Sequence, residues 1–78
     1  MYAFEEYTGA FSITPNDTND LARRVRAISV NTVGIVRMKL ADGDVVDVQM
    51  EPGVIYHGVA VVRVHNTGTG AGGINGWY

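Results

Sequence analysis

Few side chains in this sequence could carry chemistry, and their spacing argues against most of it. The serines are Ser12 and Ser29 and the histidines are His57 and His65; there is no cysteine. Neither serine stands in a nucleophile-elbow sequence. A triad also needs a positioned base and an orienting acid, and the histidine spacing suggests neither. No catalytic residue is therefore assigned. As metal ligands, His57 and His65 have Gly58 between them and no third ligand nearby, which matches no structural zinc pattern. They read as solvent-facing histidines at strand ends.

Oxygen-rich stretches raise calcium, which takes six to eight oxygen ligands from an extended loop. Asp42-Gly43-Asp44 is too short and is better explained as a turn. Asn16, Asp17, Asn19 and Asp20 form a richer set, but turn and cap roles account for them. Neither a metal nor a cofactor is expected. The run Gly68-Thr69-Gly70-Ala71-Gly72-Gly73 lacks the lysine and following helix of a phosphate loop. It reads as a flexible or tightly turning connection.

Arg23, Arg24 and Arg26 are the densest positive cluster. They read either as a solvated edge or as a salt-bridged subunit contact, since arginine holds carboxylates bidentately. Nucleic acid is disfavoured because the formal net charge is −2 and no aromatic platform is interleaved with the arginines.

The elements that must position these groups are strands. Ten glycines and many valines lean that way, and no segment shows convincing helical periodicity, although residues 17–26 could hold one helical turn. Strand candidates are Ala10 to Thr14, Val25 to Val30, Gly34 to Leu40, Asp44 to Met50 and Val59 to His65. Ile74 to Tyr78 is a closing strand anchored by Ile74 and Trp77. Pro15 ends the first strand because it lacks a ladder donor. On the second, Arg26, Ile28 and Val30 share one face and Val25, Ala27 and Ser29 the other. Asp42-Gly43 is the strongest local signal, a tight hairpin turn. It places Asp47 near Arg37 or Lys39 and directs Val46, Val48 and Met50 to the core. In Val59 to His65, Ala60, Val62 and Val64 share one face while Val59 and Val61 make the other apolar too, as in a central strand or one covered by another subunit. The expected fold is all-β: a small antiparallel β-sandwich or barrel of about six short strands. Residues 1–9 read as an N-terminal arm and 10–78 as a single β domain.

At 78 residues the domain buries only roughly 60% of its unfolded surface, so its own core gives a thin margin. Without disulfides or a metal, oligomerisation is the remaining support. The first residues, Met1 to Glu6, are acidic and lack an apolar run, which is neither a secretory signal nor a transit peptide. No stretch approaches the roughly 18 apolar residues of a membrane helix.

The order of segments resembles a family of small phage and gene-transfer-agent head proteins, the spike base proteins. The resemblance rests on Ile13-Thr14-Pro15-Asn16-Asp17-Thr18-Asn19-Asp20-Leu21, Arg26-Ala27-Ile28-Ser29-Val30, Gly34 to Leu40, Asp42-Gly43, Glu51-Pro52-Gly53, Val61-Val62-Arg63-Val64 and Asn66-Thr67-Gly68-Thr69-Gly70-Ala71, in that order. It covers about residues 10 to 75; the arm and the tail Asn75-Gly76-Trp77-Tyr78 depart from it. It implies a virion structural protein without catalytic residues, made in the bacterial cytoplasm and placed on the capsid surface.

Two function classes follow. One is a capsid-bound assembly module (spike base, decoration or cement protein) that homo-oligomerises and contacts the major capsid protein, other copies of itself and a spike fibre. Its expected interface residues are Tyr2, Phe4, Tyr7, Trp77 and Tyr78 as aromatic anchors, Arg23, Arg24 and Arg26 as polar contacts, and Val59 and Val61 from the two-sided strand. The other is a small carbohydrate- or ligand-binding module for host attachment, with Trp77, Tyr78 and Tyr56 as a stacking platform and Asp17 and Asp20 as hydrogen-bonding groups.

Overall fold

The computed structural model describes residues 6–78; Tyr2 and Phe4 of the expected interface lie outside the described residues. Alternating sequence and turn chemistry give six strands: β1 (Ala10–Ser12), β2 (Val25–Ser29), β3 (Gly34–Leu40), β4 (Val45–Met50), β5 (Tyr56–Val64) and β6 (Asn75–Trp77). They form one sheet in the order β1-β6-β2-β5-β3-β4, with every neighbouring pair antiparallel. The fold is all-β with six short strands, and its layer is a single sheet whose two edges are β1 and β4. Residues 17–26 contain bends and no helical turn.

A single sheet can bury a core only by curling around one of its own faces. Ile13, Val25, Ile28, Val30, Val36, Met38, Met50, Val61, Val64 and Ile74 form one buried cluster there. The β3–β4 hairpin is the most regular part. Gly34 pairs with Met50 and the register runs unbroken to Lys39 with Val45. Gly43 takes φ +102°, a region open to glycine and costly for other residues, and its N–H donates to Leu40 O at 2.9 Å.

Elsewhere strict alternation fails at bulges. On β5, Arg63 and Val61 oppose the consecutive residues Lys39 and Leu40, so Val62 is an extra residue. Its carbonyl accepts instead from the Leu21 N–H at 2.7 Å. A second shift separates Val25↔Val61 from Ala27↔His57, beside Gly58 at φ +84°. The consequence is a correction to the expected faces. Val61 and Val64, three apart, both enter the core, as do Val25 and Ile28. Arg26 is exposed while Val25 and Ile28 are buried.

Two further corrections concern the edges. Val46 is 37% exposed although Met50 on the same inner face is fully buried, because β4 has no strand beyond it to cover its hairpin end. The first strand stops at Ser12, but Ile13 still donates to Ile74 O at 2.8 Å and is buried.

Candidate functional site

Three surface features stand out, each positioned by a different part of the sheet. The first is a polar clasp. Asn16 Oδ1 accepts from the N–H groups of Thr18 and Asn19, both at 2.8 Å, which closes the loop after Pro15 as an Asx turn. That turn aims Asp17 at the loop following β5. Its carboxylate accepts from Asn66 N–H and Thr67 N–H at 2.8 Å and from Thr67 Oγ1 at 2.7 Å. Donation by the Thr67 N–H and hydroxyl holds its carboxyl below the ordinary carboxylate value. Asp20 pairs with Arg63 at 2.9 Å. Of the residues weighed as calcium ligands, Asn16, Asp17 and Asp20 use side-chain oxygens in this clasp, and Asn19 contributes its N–H. His65 corrects the solvent-facing expectation: it is half-buried, with Nδ1 3.7 Å from Asp17 Oδ1 and Nε2 buried without a hydrogen-bond partner among the described residues. His57 is exposed.

The glycine-rich connection is a tight turn stitched to β3. Gly70 N–H and Ala71 N–H both donate to Ile35 O, and Thr69 Oγ1 accepts from Arg37 N–H at 3.0 Å. The guanidinium of Arg37 also forks onto Asp47, with contacts of 2.8 and 3.1 Å. This is the cross-hairpin pair expected from the Asp42-Gly43 turn. It raises the Arg37 pKa and lowers that of Asp47.

The second feature is an aromatic, basic edge around β1 and β6. Directly opposed residues of neighbouring strands share a face. Trp77 lies opposite Ala27 and Ala10, and its indole N–H donates to Ser29 Oγ at 3.0 Å. Tyr7 meets Trp77 with ring centroids 6.1 Å apart, and Arg26 lies over Tyr7 at 5.1 Å. Tyr78, the next residue along, points to the other face. There it meets Phe11 at 6.1 Å and carries Arg23 over its ring at 3.6 Å. Arg24 is exposed and forms no ion pair among the described residues.

The structure thus gathers Tyr7, Arg23, Arg26, Trp77 and Tyr78 at one end of the strand order. Val59 is half-buried against the core. Val61 is fully buried in it and has no surface left to offer a partner. The stacking platform does not assemble. Tyr56 lies opposite Ile28, which lies opposite Gly76, so its ring is on the sheet face away from Trp77. Its hydroxyl accepts from Glu51 N–H at 2.8 Å.

The third feature is a groove of about 360 Å³ on the inner face beside β4, lined by Met38, Val48, Met50, Ile55, Tyr56, His57 and Val59. Ile55, which lines it, is 41% exposed, and Val46 on β4 and Val54, the residue before Ile55, are 37% and 45% exposed. Sequence reasoning missed both the groove and the clasp. Val46 and Val48 read as core because alternation says which way a side chain points, not whether anything lies above it. The clasp joins residues 50 apart in sequence, Asp17 and Thr67, and two turn-like stretches carry no sign that they meet.

No protein-family model matches the chain, and no curated protein does. Among solved structures it is similar to a chain in the capsid of a native gene transfer agent (GTA) particle computed with C5 symmetry. The two are 38% identical with a TM-score of 0.84, over 94% of this chain and 84% of that one.

Proposed function

This chain belongs to the family of that gene transfer agent capsid chain, and from that premise we propose that it is assembled in multiple copies on the outer surface of a phage-type capsid, as a spike base, decoration or cement protein. At the coarser level it is a phage-like virion structural protein. The observation that carries this is sequence and fold likeness over nearly the whole chain, which leaves little of this protein unaccounted for by a capsid component.

The finer reading draws support from the physical make-up of the surface. The core is small for the length of chain, β1 and β4 have no outer neighbour strand among the described residues, and large apolar side chains stay exposed beside β4. Exposed apolar area of this kind marks contact surfaces, and neighbouring subunits on a capsid would cover it. The partners are then the major capsid protein, further copies of this chain and a spike fibre. Tyr7, Arg23, Arg24, Arg26, Val59, Trp77 and Tyr78 supply contacts from the β domain, and Tyr2 and Phe4 from the arm of residues 1–9. The role is structural and non-enzymatic.

The test is to purify particles made without this protein and add the purified protein back. Saturable binding to the particle exterior, with a fixed number of copies per particle, is the expected result. A number matching the capsid vertices indicates a spike base, and several hundred indicates shell-wide cement. No binding to particles that are otherwise complete would overturn the reading.

A further inference from the structure

Opposite charges predominate at the two ends of the sheet, arginines beside β6 and acids beside β4, with Glu6 against Arg26 and Lys39 opposite Val45 as the exceptions. Arg23, in the bend before β2, lies over Tyr78 and Arg26, on β2, over Tyr7, and Arg24 is exposed beside them. At the other end of the strand order, Asp44 and Glu51 flank β4 at its two ends and are exposed. Neither acid forms an ion pair among the described residues, nor do Arg23 and Arg24. The acidic edge is also the apolar one, with Val48 and Ile55 lining the groove beside β4 and Val46 exposed on the same strand. Both edge strands leave a row of backbone donors and acceptors unpaired within the sheet.

From this we infer that copies of the chain associate head to tail, the arginine-bearing β1–β6 edge of one copy seated on the acidic, groove-bearing β4 edge of the next. The inference rests on the multi-copy reading above and adds to it the surfaces and the polarity of contact. The polarity follows from charge. A contact of like with like would set Arg23 and Arg24 against their own counterparts, or Asp44 and Glu51 against theirs, and like-charge juxtaposition at an interface is repulsive. Opposite edges complement each other. They differ from one another, so the contact is heterologous and repeats around a ring or along a filament rather than stopping at a dimer. The aromatic ring of Tyr78 beneath Arg23 brings apolar area to the same edge, matched by the exposed valine and isoleucine opposite.

The decisive experiment uses three full-length variants: R23E/R24E, D44R/E51R and all four substitutions together. Self-association is followed by sedimentation over a concentration range at low and moderate salt, with circular dichroism confirming the fold. Each double variant is expected to associate more than about tenfold more weakly than the parent, because it faces like charge at the contact. The quadruple variant, with both edges reversed, should recover to within about threefold, and an equimolar mixture of the two doubles should associate where neither does alone. Parent protein that stays monomeric, doubles that associate like the parent, or a quadruple variant no better than the doubles would each overturn the inference. Particle binding by the parent is scored separately. If it persists while the charge pattern fails, the polarity of contact is wrong and the capsid role stands.

Discussion

Gly76 offers the sharpest test of how this sheet is packed. It sits in β6, between β1 and β2, is buried, and has an ordinary backbone conformation, so alanine is allowed there by dihedral angle. Space is the obstacle. A Cβ at Gly76 would lie 2.6 Å from Val25 Cγ1 and 2.9 Å from Ile13 Cδ1, whereas carbon atoms in contact sit about 3.5–4.0 Å apart. Each neighbour would have to retreat by roughly 1 Å. Val25 is 0% and Ile13 6% exposed, so neither has free room to move into. Overpacking of this kind costs about 1–3 kcal/mol. In a domain of this size each kcal/mol moves the melting point by about 4–8 °C, so G76A should melt roughly 4–24 °C below the parent. The assay is thermal and urea unfolding of the parent, G76A, V25A and the double variant. Removing the Val25 Cγ atoms makes room for the added methyl, so G76A should cost markedly less in the V25A background than alone. Should G76A unfold with the parent, or should the two costs simply add, the close approach of β6 to the core would be refuted.

Other expectations follow from the same structure. D17N should flatten the acid side of the stability profile: the folded carboxyl titrates below its ordinary 3.8, so its contribution is present above that value and lost as pH falls below it. Urea midpoints between pH 2.5 and 7 that fall equally in both proteins would contradict this. G43A forces φ +102° onto a residue with a Cβ and should cost about 1 kcal/mol or more, read as a lower urea midpoint. V61A removes two methyl groups from the fully buried core and should cost about 2 kcal/mol, while particle binding by the folded fraction is unchanged; a selective loss of binding would return Val61 to the interface. S29A removes the acceptor of the Trp77 indole N–H. Since Trp77 is the single tryptophan, this should shift the intrinsic emission without unfolding the protein.

The parts of the fold legible in the sequence are those governed by neighbours along the chain. Gly34 to Leu40 is a strand at the expected boundaries, because its alternation is unbroken and its hairpin partner follows after four intervening residues. The Arg37–Asp47 pair follows from that register alone. Faces went astray where a bulge intervened. The expected strand begins at Val59, whereas β5 runs from Tyr56 through Gly58, and nothing local shows that Val62 is skipped, its carbonyl accepting from the distant Leu21 N–H. The candidate surface was half legible. Aromatic and arginine residues near the chain ends could be singled out by type. Their gathering at one edge depends on β6 inserting beside β1, and the groove depends on what fails to cover β4. Both are properties of the whole sheet.

The placement of β6 has a consequence for how the protein is made. Synthesis reaches residues 75–77 well after β1, yet among the described residues β1 pairs with β6 alone, which also borders β2. Until that late segment arrives, the first strand has nowhere to dock and the arginine-bearing edge does not exist as a shape. The β3–β4 hairpin, by contrast, is closed by nearby residues and can form early, since short loops close at little entropic cost. The acceptor groove needs Ile55 to Val59 as well as the hairpin, so it is complete once β5 is added, while the donor side still waits for β6. Joining of copies would be withheld from nascent chains and granted to finished ones, a timing control written into strand order alone.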